Sequence, residues 1–289
     1  MIEIHFGDNL EVLRGLPDCS ARLIYIDPPF NTGKVQTRTR TRKTRDDAGS
    51  HVGFGGKRYV TENLSTMSFR DSFDEFCEFL EPRLHEAKRM LTADGSLFLH
   101  LDYRECHYAK VLCDSVFGRE SFKNEIVWAY DYGGRPKNRW PAKHDNILWY
   151  AADPDSYVFR YDDIDRIPYM APGLVTSEKA ARGKIPTDVW WHTIVPTNSR
   201  ERTGYPTQKP LGIVRRIVTV HSDPGDLVVD FFAGSGTTGE AAAMLGRRAL
   251  LVDNNPEALT VMEKRFATIE TTFLNWTPSL SSSGQLRLT

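Results

Sequence analysis

The chain has 289 residues, with 37 Lys and Arg against 38 Asp and Glu and a formal net charge of −1, so bulk charge points to no polyanionic partner. At 40% hydrophobic residues it is long enough for one large α/β domain with an insertion, and its four cysteines, Cys19, Cys77, Cys106 and Cys113, form no CxxC pair, which favours reduced thiols over a metal site. No apolar run nears the ~20 residues of a membrane span, and MIEIHFGDNL lacks the basic and apolar regions of a signal peptide, so a soluble cytoplasmic protein with no membrane partner is expected.

In chain order, IEIHFG (2–7) reads as a strand and NLEVLRGL (9–16) as a helix, from the spacing of Leu10, Leu13 and Leu16. ARLIYI then runs Leu23, Ile24, Tyr25 and Ile26 together, the pattern of a strand buried on both faces, and enters DPPF (27–30). From Lys34 to Arg58 an arm carries eight Lys or Arg against two Asp. A solvated loop is the plain reading of such a run, and a polyanion-binding arm is the functional one. DSFDEFCEFLEPRLHEAKRMLTADG, from Asp71, is amphipathic and ends on an Asp-Gly turn. SLFLHL (96–101) is a buried strand, and YRECHYAKVLCDSVFG a helix stopped by Gly118. EIVWAY (125–130) and NILWYAA (146–152) are strands around a loop rich in Gly, Pro and the cations Arg135, Lys137, Arg139 and Lys143.

Periodicity fades over 153–205, as in an insertion, where Trp190, Trp191 and His192 suit either target recognition or core packing. It returns with a helix around PLGIVRRIVTVHS, a strand LVVDFFA (227–233), a glycine-rich turn, a helix EAAAMLG, a strand RALLVDN (248–254) and a helix from Pro256 to about Ile269. The final stretch TPSLSSSGQLRLT (277–289) is expected to be poorly ordered. Strands alternating with helices predict a mostly parallel, doubly wound sheet with its ligands at the carboxyl ends of the strands.

The turn DFFAGSGTTGEAA matches GxGxxG through Gly234, Gly236 and Gly239, with Asp253 at the tip of the next strand. A dehydrogenase loop has the same outline, and no Gly-Lys-Ser/Thr follows to make a triphosphate loop. Asp230 shifts the balance away from NAD, because an acid at the mouth of the loop repels a pyrophosphate and suits a cationic cofactor with a single ribose, S-adenosylmethionine.

DPPF at 27–30 together with AGSG at 233–236 resembles the DNA amino-methyltransferases, in the β-group order with the catalytic motif ahead of the cofactor loop, and GYPTQKPLGIVRRI (204–217) resembles the family segment before that loop. The resemblance covers roughly 2–268. It implies an α/β, Rossmann-like methyltransferase sheet in circularly permuted order with an inserted target-recognition segment. On that pattern 1–152 is the catalytic half including the arm 34–58, 153–205 the recognition insertion, 206–270 the cofactor half and 271–289 a tail. Asp27, Pro28, Pro29 and Phe30 are then catalytic. The Asp27 carboxylate and the Pro28 carbonyl accept the hydrogens of the target amine, the prolines fix the turn without a competing N–H, and Phe30 stacks on the extruded base.

For S-adenosylmethionine the resemblance implies Asp27, Asp230 and the loop Phe231, Phe232, Ala233, Gly234, Ser235 and Gly236 at the methionine end. It implies Asp253 at the ribose, Thr207 and Lys209 near the methionine carboxylate, and Asp8 at the adenine, although Asp8 also suits a helix N-cap. Double-stranded DNA is the implied partner, contacted by Arg38, Arg40, Arg42, Lys43, Arg45, Arg135, Lys137, Arg139 and Lys143, with a cognate restriction endonuclease as a further partner and a monomeric or homodimeric state. The acid in the motif favours adenine-N6 over cytosine-N4. The rival functions are methylation of an RNA or protein amine, a nicotinamide enzyme and a non-catalytic DNA-binding module. Calorimetry with each cofactor separates them. A C5-cytosine enzyme would need a nucleophilic cysteine, in that family after a proline, and no cysteine here follows one.

Overall fold

The computed structural model describes residues 1–29, 34–45, 51–52, 58–71 and 76–277. Its main sheet is built from β1 (Ile2–Phe6), β2 (Ala21–Ile26), β6 (Leu91–Leu101), β7 (Phe122–Ala129), β8 (His144–Ala151), β9 (Val189–Trp191), β10 (Leu227–Asp230), β11 (Arg248–Asp253) and β12 (Thr271–Leu274). The strand order is β12-β1-β11-β10-β2-β6-β8-β7-β9. The first six strands are mutually parallel, β8 is antiparallel to both β6 and β7, and β9 runs parallel to β7.

Both faces are covered, which is why the central strands are apolar at consecutive positions. On β2, Leu23 and Tyr25 join the core under α5 (Leu211–His221), α6 (Thr237–Met244) and α7 (Pro256–Arg265). Ile24 and Ile26 join the opposite core under α1 (Asn9–Arg14), α2 (Phe76–Met90) and α3 (Cys106–Phe117). Leu23, Ile24 and Ile26 are fully buried, each contributing about 1.5–3 kcal/mol. α3 stops where expected, at Gly118, whose φ of +98° is outside the range a Cβ tolerates well. Among the described residues no helix is long and apolar enough to cross a membrane.

Several stretches differ from the sequence expectation. The helix expected to run to the Asp-Gly turn ends at Met90, and Leu91 already opens β6. Residues 278–289, expected to be poorly ordered, lie outside the described residues. The strand expected over 227–233 ends at Asp230, freeing Phe231 onward for the turn. In the tail, Thr271–Leu274 is a strand paired with β1, with Trp276 edge-on to Phe6 at 5.2 Å. The basic arm contains β3 (Lys34–Arg45), which pairs antiparallel with β5 (Arg58–Asp71), while β4 (His51–Val52) pairs with β5 on its other side. These strands form a separate three-stranded sheet of order β3-β5-β4, and the polar stretch of β5, RYVTENLSTMSFRD, carries no strand pattern in the sequence. Within 153–205 lies α4 (Ser177–Arg182), and β9 extends the main sheet. There Trp190 packs on the core, as the core-packing reading expects, and Trp191 is 75% exposed.

The registers bring the carboxyl ends of the parallel strands to one edge. Phe6 lies beside Asp253, Asp230 beside Leu251, and Ile26 beside Leu99. Because β8 is reversed, the same edge holds its first residues, with Asn146 opposite Leu101 and His144 opposite Ala129, and also the end of β9, with Trp191 beside Ala129.

Candidate active site

Asp27 follows directly on Ile26 at the end of β2, with Pro28 buried and Pro29 half-buried behind it. Phe30, and Asn31 to Gly33 after it, lie outside the described residues. Lys209 Nζ donates to Asp27 Oδ2 at 2.5 Å, within a pair whose side chains are only 9% and 17% exposed. Asp27 Oδ1 is buried and has no hydrogen-bond partner among the described residues. A buried acceptor left unpaired costs stability, which singles this oxygen out as a candidate acceptor.

Beside this turn lies a buried polar chain. Tyr25 Oη meets His100 Nδ1 at 2.7 Å, His100 Nε2 meets Asp145 Oδ2 at 3.2 Å, and the Tyr130 hydroxyl donates to Asp145 Oδ1 at 2.9 Å. Burial opposes the charge on Asp145, but the His100 bond and charge, the Lys209 charge and the Tyr130 bond hold its carboxyl below the usual range. Burial, with the charges of Asp27, Asp230 and Asp145, raises the Tyr25 phenol well above its ordinary value, so it remains a donor at neutral pH.

After β10, the neighbour of β2, the glycine-rich turn is tied down from within. Asp230, 3% exposed, accepts from Phe232 N at 3.0 Å and from Thr238 Oγ1 at 2.6 Å. Gly234 N donates to Asp253 Oδ2 at 2.7 Å, and Asn255 N to Asp253 Oδ1 at 2.8 Å. Gly236 has φ +76°, and a Cβ there would lie 2.8 Å from Phe266 Cζ, so the turn takes glycine for both conformation and space. Arg265 braces it from behind, donating to Ser235 O at 2.8 Å.

Burial, only partly offset by the Thr238 and Phe232 bonds and reinforced by the charges of Asp27 and Asp253, pushes the Asp230 carboxyl up to about 7. Burial likewise lifts Asp253 to about 6 against its backbone donors. Three carboxyl groups thus share this edge with the Lys209 ammonium, an arrangement that favours an added positive charge.

The remaining expected residues are placed as follows. Thr207 is exposed, with a φ of +58° that costs a non-glycine residue about 1–2 kcal/mol. Asp8 caps α1 through Leu10 N and Glu11 N and pairs with Arg83 at 3.3 Å, so its capping role is realised. The Phe231 ring is in the core, and its carbonyl accepts from Asn9 Nδ2 at 2.7 Å. Phe232 is half-buried near Phe79, while Ala233 and Ser235 are buried. In the 130–143 loop, Arg135 is taken up by Asp131 and Lys143 by the carbonyls of Tyr132 and Gly133, whereas Lys137 and Arg139 have no ion-pair partner among the described residues.

A family model described as DNA methylase, N6_N4_Mtase, matches residues 21–264. The chain belongs to this DNA methylase family. It is 27% identical over 272 residues to the DNA adenine methyltransferase YhdJ of Escherichia coli (strain K12), covering 90% of this chain and 80% of that one. The solved M1.HpyAVI–SAM complex matches with a TM-score of 0.57 at 20% identity over 92% of this chain and 99% of the other. PvuII DNA methyltransferase, cytosine-N4-specific, gives 0.64 at 16% identity over 92% and 86%. Both share the fold.

In this DNA methylase the fold gathers Asp27, Lys209, Asp230, the glycine turn and Asp253 along one sheet edge. Sequence reasoning missed Tyr205, whose ring lies against Gly234 and whose hydroxyl accepts from Asn255 Nδ2 at 3.2 Å. Its signal was available in GYPTQKP. The Tyr25–His100–Asp145–Tyr130 chain had none, because strand register alone assembles it.

Proposed function

We propose that the chain transfers the methyl group of S-adenosylmethionine to the exocyclic N6 of an adenine extruded from double-stranded DNA. The observation that carries this is Asp27, with one oxygen on Lys209 and the other buried without a partner among the described residues. An exocyclic amine has its lone pair delocalised into the ring. Asp27 Oδ1 accepts one N–H and the Pro28 carbonyl the other, drawing the nitrogen toward sp³ geometry, and the carboxylate faces the positive charge that grows on nitrogen during transfer. By its place in the motif, Phe30 supplies a stacking face.

The residues present suit the cofactor. When bound, S-adenosylmethionine supplies an electrophilic methyl on a cationic sulfur. Asp230 and Asp253, both raised by burial, offer compensating charge at that edge, and the glycine turn brings backbone N–H groups close to it. Adenine is favoured by the acid in the first motif position and by the resemblance to YhdJ. Cytosine-N4 is the second reading, favoured by the match to the PvuII enzyme.

Single-molecule methylation mapping of DNA from expressing cells, followed by mass spectrometry of its nucleosides, tests the substrate. N6-methyladenine is expected, and N4-methylcytosine would overturn the adenine assignment. Asp27→Ala is expected to retain cofactor binding and lose turnover about a hundredfold or more. Wild-type turnover in that variant would overturn the mechanism.

A further inference from the structure

The loop between β7 and β8 is built to present its tip. Tyr130 N donates to Lys143 O at 2.9 Å, and Lys143 Nζ closes on the carbonyls of Tyr132 and Gly133, so the two stems are clamped together. Arg135 bonds back to Asp131 at 2.7 and 2.9 Å. Beyond this clamp every residue from Gly134 to Trp140 is exposed, and Trp140 is 94% exposed. Its neighbour Pro141 disfavours helical backbone at Trp140. Isolated exposed hydrophobics are common on protein surfaces. This one is the largest side chain type, stands on a braced loop, and is flanked by Lys137 and Arg139, exposed cations with no ion-pair partner among the described residues.

Position gives the tip its role. The loop leaves the sheet at the edge that holds Asp27, because His144 and Ala129 lie at the same end as Ile26 and Leu101. β8 is two strands from β2, about 10 Å at the usual strand spacing. Trp140 stands four residues before β8, a tether reaching up to about 13 Å. The indole therefore comes within range of the place from which a base would leave the helix to reach Asp27.

From these observations we infer that Trp140 is an intercalating wedge: it enters the base stack of bound DNA and occupies the space vacated by the extruded nucleotide, while Lys137 and Arg139 hold the flanking phosphates. Removing a base from a duplex leaves two base faces unstacked, and an aromatic surface that covers them lowers the cost of the extruded state. The inference rests on the proposed base-extruding methyl transfer.

The test uses the full chain and a duplex carrying the mapped site, with 2-aminopurine at the target position, or pyrrolocytosine if the mapped base is cytosine. Extrusion unstacks the fluorophore and brightens it. At saturating protein, Trp140→Ala is expected to give less than about a third of the wild-type rise and at least a tenfold lower kcat, with unchanged S-adenosylmethionine affinity. Trp140→Phe is expected to keep most of both. A wild-type rise in Trp140→Ala at saturation, even with weaker DNA binding, would overturn the wedge and leave a surface contact. Complete loss of DNA binding would overturn it as well, since a wedge acts after docking. A wild type that binds its site without any rise refutes base extrusion itself, and the wedge with it.

Discussion

Lys209 serves the site through both its ends. Its carbonyl accepts from Thr237 Oγ1 at 3.2 Å, at the start of the helix that follows the glycine turn, and its ammonium holds Asp27 at 2.5 Å. One residue thus ties the start of α6 to Asp27. Removing one partner of a mostly buried ion pair is far more costly than the pair is worth, about 3–5 kcal/mol, because the remaining charge is left uncompensated. Lys209→Met is accordingly expected to lower the thermal midpoint and to cut kcat at least tenfold. Lys209→Arg should restore part of the rate, because a guanidinium supplies the same charge to Asp27. Wild-type kcat and thermal midpoint in Lys209→Met would show that Asp27 does not depend on this ammonium.

At the scale of elements, the ribbon of β3 and β5 is the addition to a methyltransferase sheet that most alters what the chain can hold. Arg38, Arg40, Arg42, Lys43 and Arg45 all fall on the single strand β3. A small β-ribbon is narrow enough for a DNA groove, and closely spaced cations suit a line of phosphates. If the five cations contact phosphates, changing all of them to Gln should lower the slope of log K against log salt by about 0.9 per contact and leave cofactor affinity alone. A salt titration by fluorescence anisotropy reads this, and an unaltered slope would return the arm to solvent. The ribbon also marks where sequence reading stopped. Strands buried on both faces, such as β2 and β11, announced themselves as apolar runs ending in an acid, so Asp27 and Asp253 could be placed from the text. β5, RYVTENLSTMSFRD, pairs only within the ribbon, and β12 has four half-buried residues, so neither carries a core pattern. The Tyr25–His100–Asp145–Tyr130 chain draws on β2, β6, β8 and the residue after β7, a combination that only the strand order supplies.

Over the whole molecule, the strand order spreads three tasks along one edge: the glycine turn and Asp253 at β10 and β11, Asp27 at β2, and the exposed aromatic and basic loop at β7 and β8. Because the first two tasks lie on adjacent strands, the carboxyl groups of Asp230, Asp253 and Asp27 act on one another, and folding alone brings them together. Asp230 at about 7 and Asp253 at about 6 are both raised above the ordinary 3.8, so between those limits the folded chain binds more protons than the unfolded one. Stability contributed by these two groups is therefore complete below about pH 4 and is lost as pH rises through 6 and 7. A cationic cofactor acts in the opposite sense, since it favours the ionised carboxylates. Its affinity should rise from pH 5.5 to 7.5, and binding at pH 6 should release roughly one proton as these groups give up theirs. Isothermal calorimetry of S-adenosylmethionine in two buffers of different ionisation enthalpy measures that proton directly. Asp230→Asn should reduce the release and flatten the fall of the thermal midpoint with pH in the unliganded protein. Equal heats in both buffers would mean that the cofactor meets carboxylates already ionised, and the charge at this edge would then owe nothing to the crowding of its three acids.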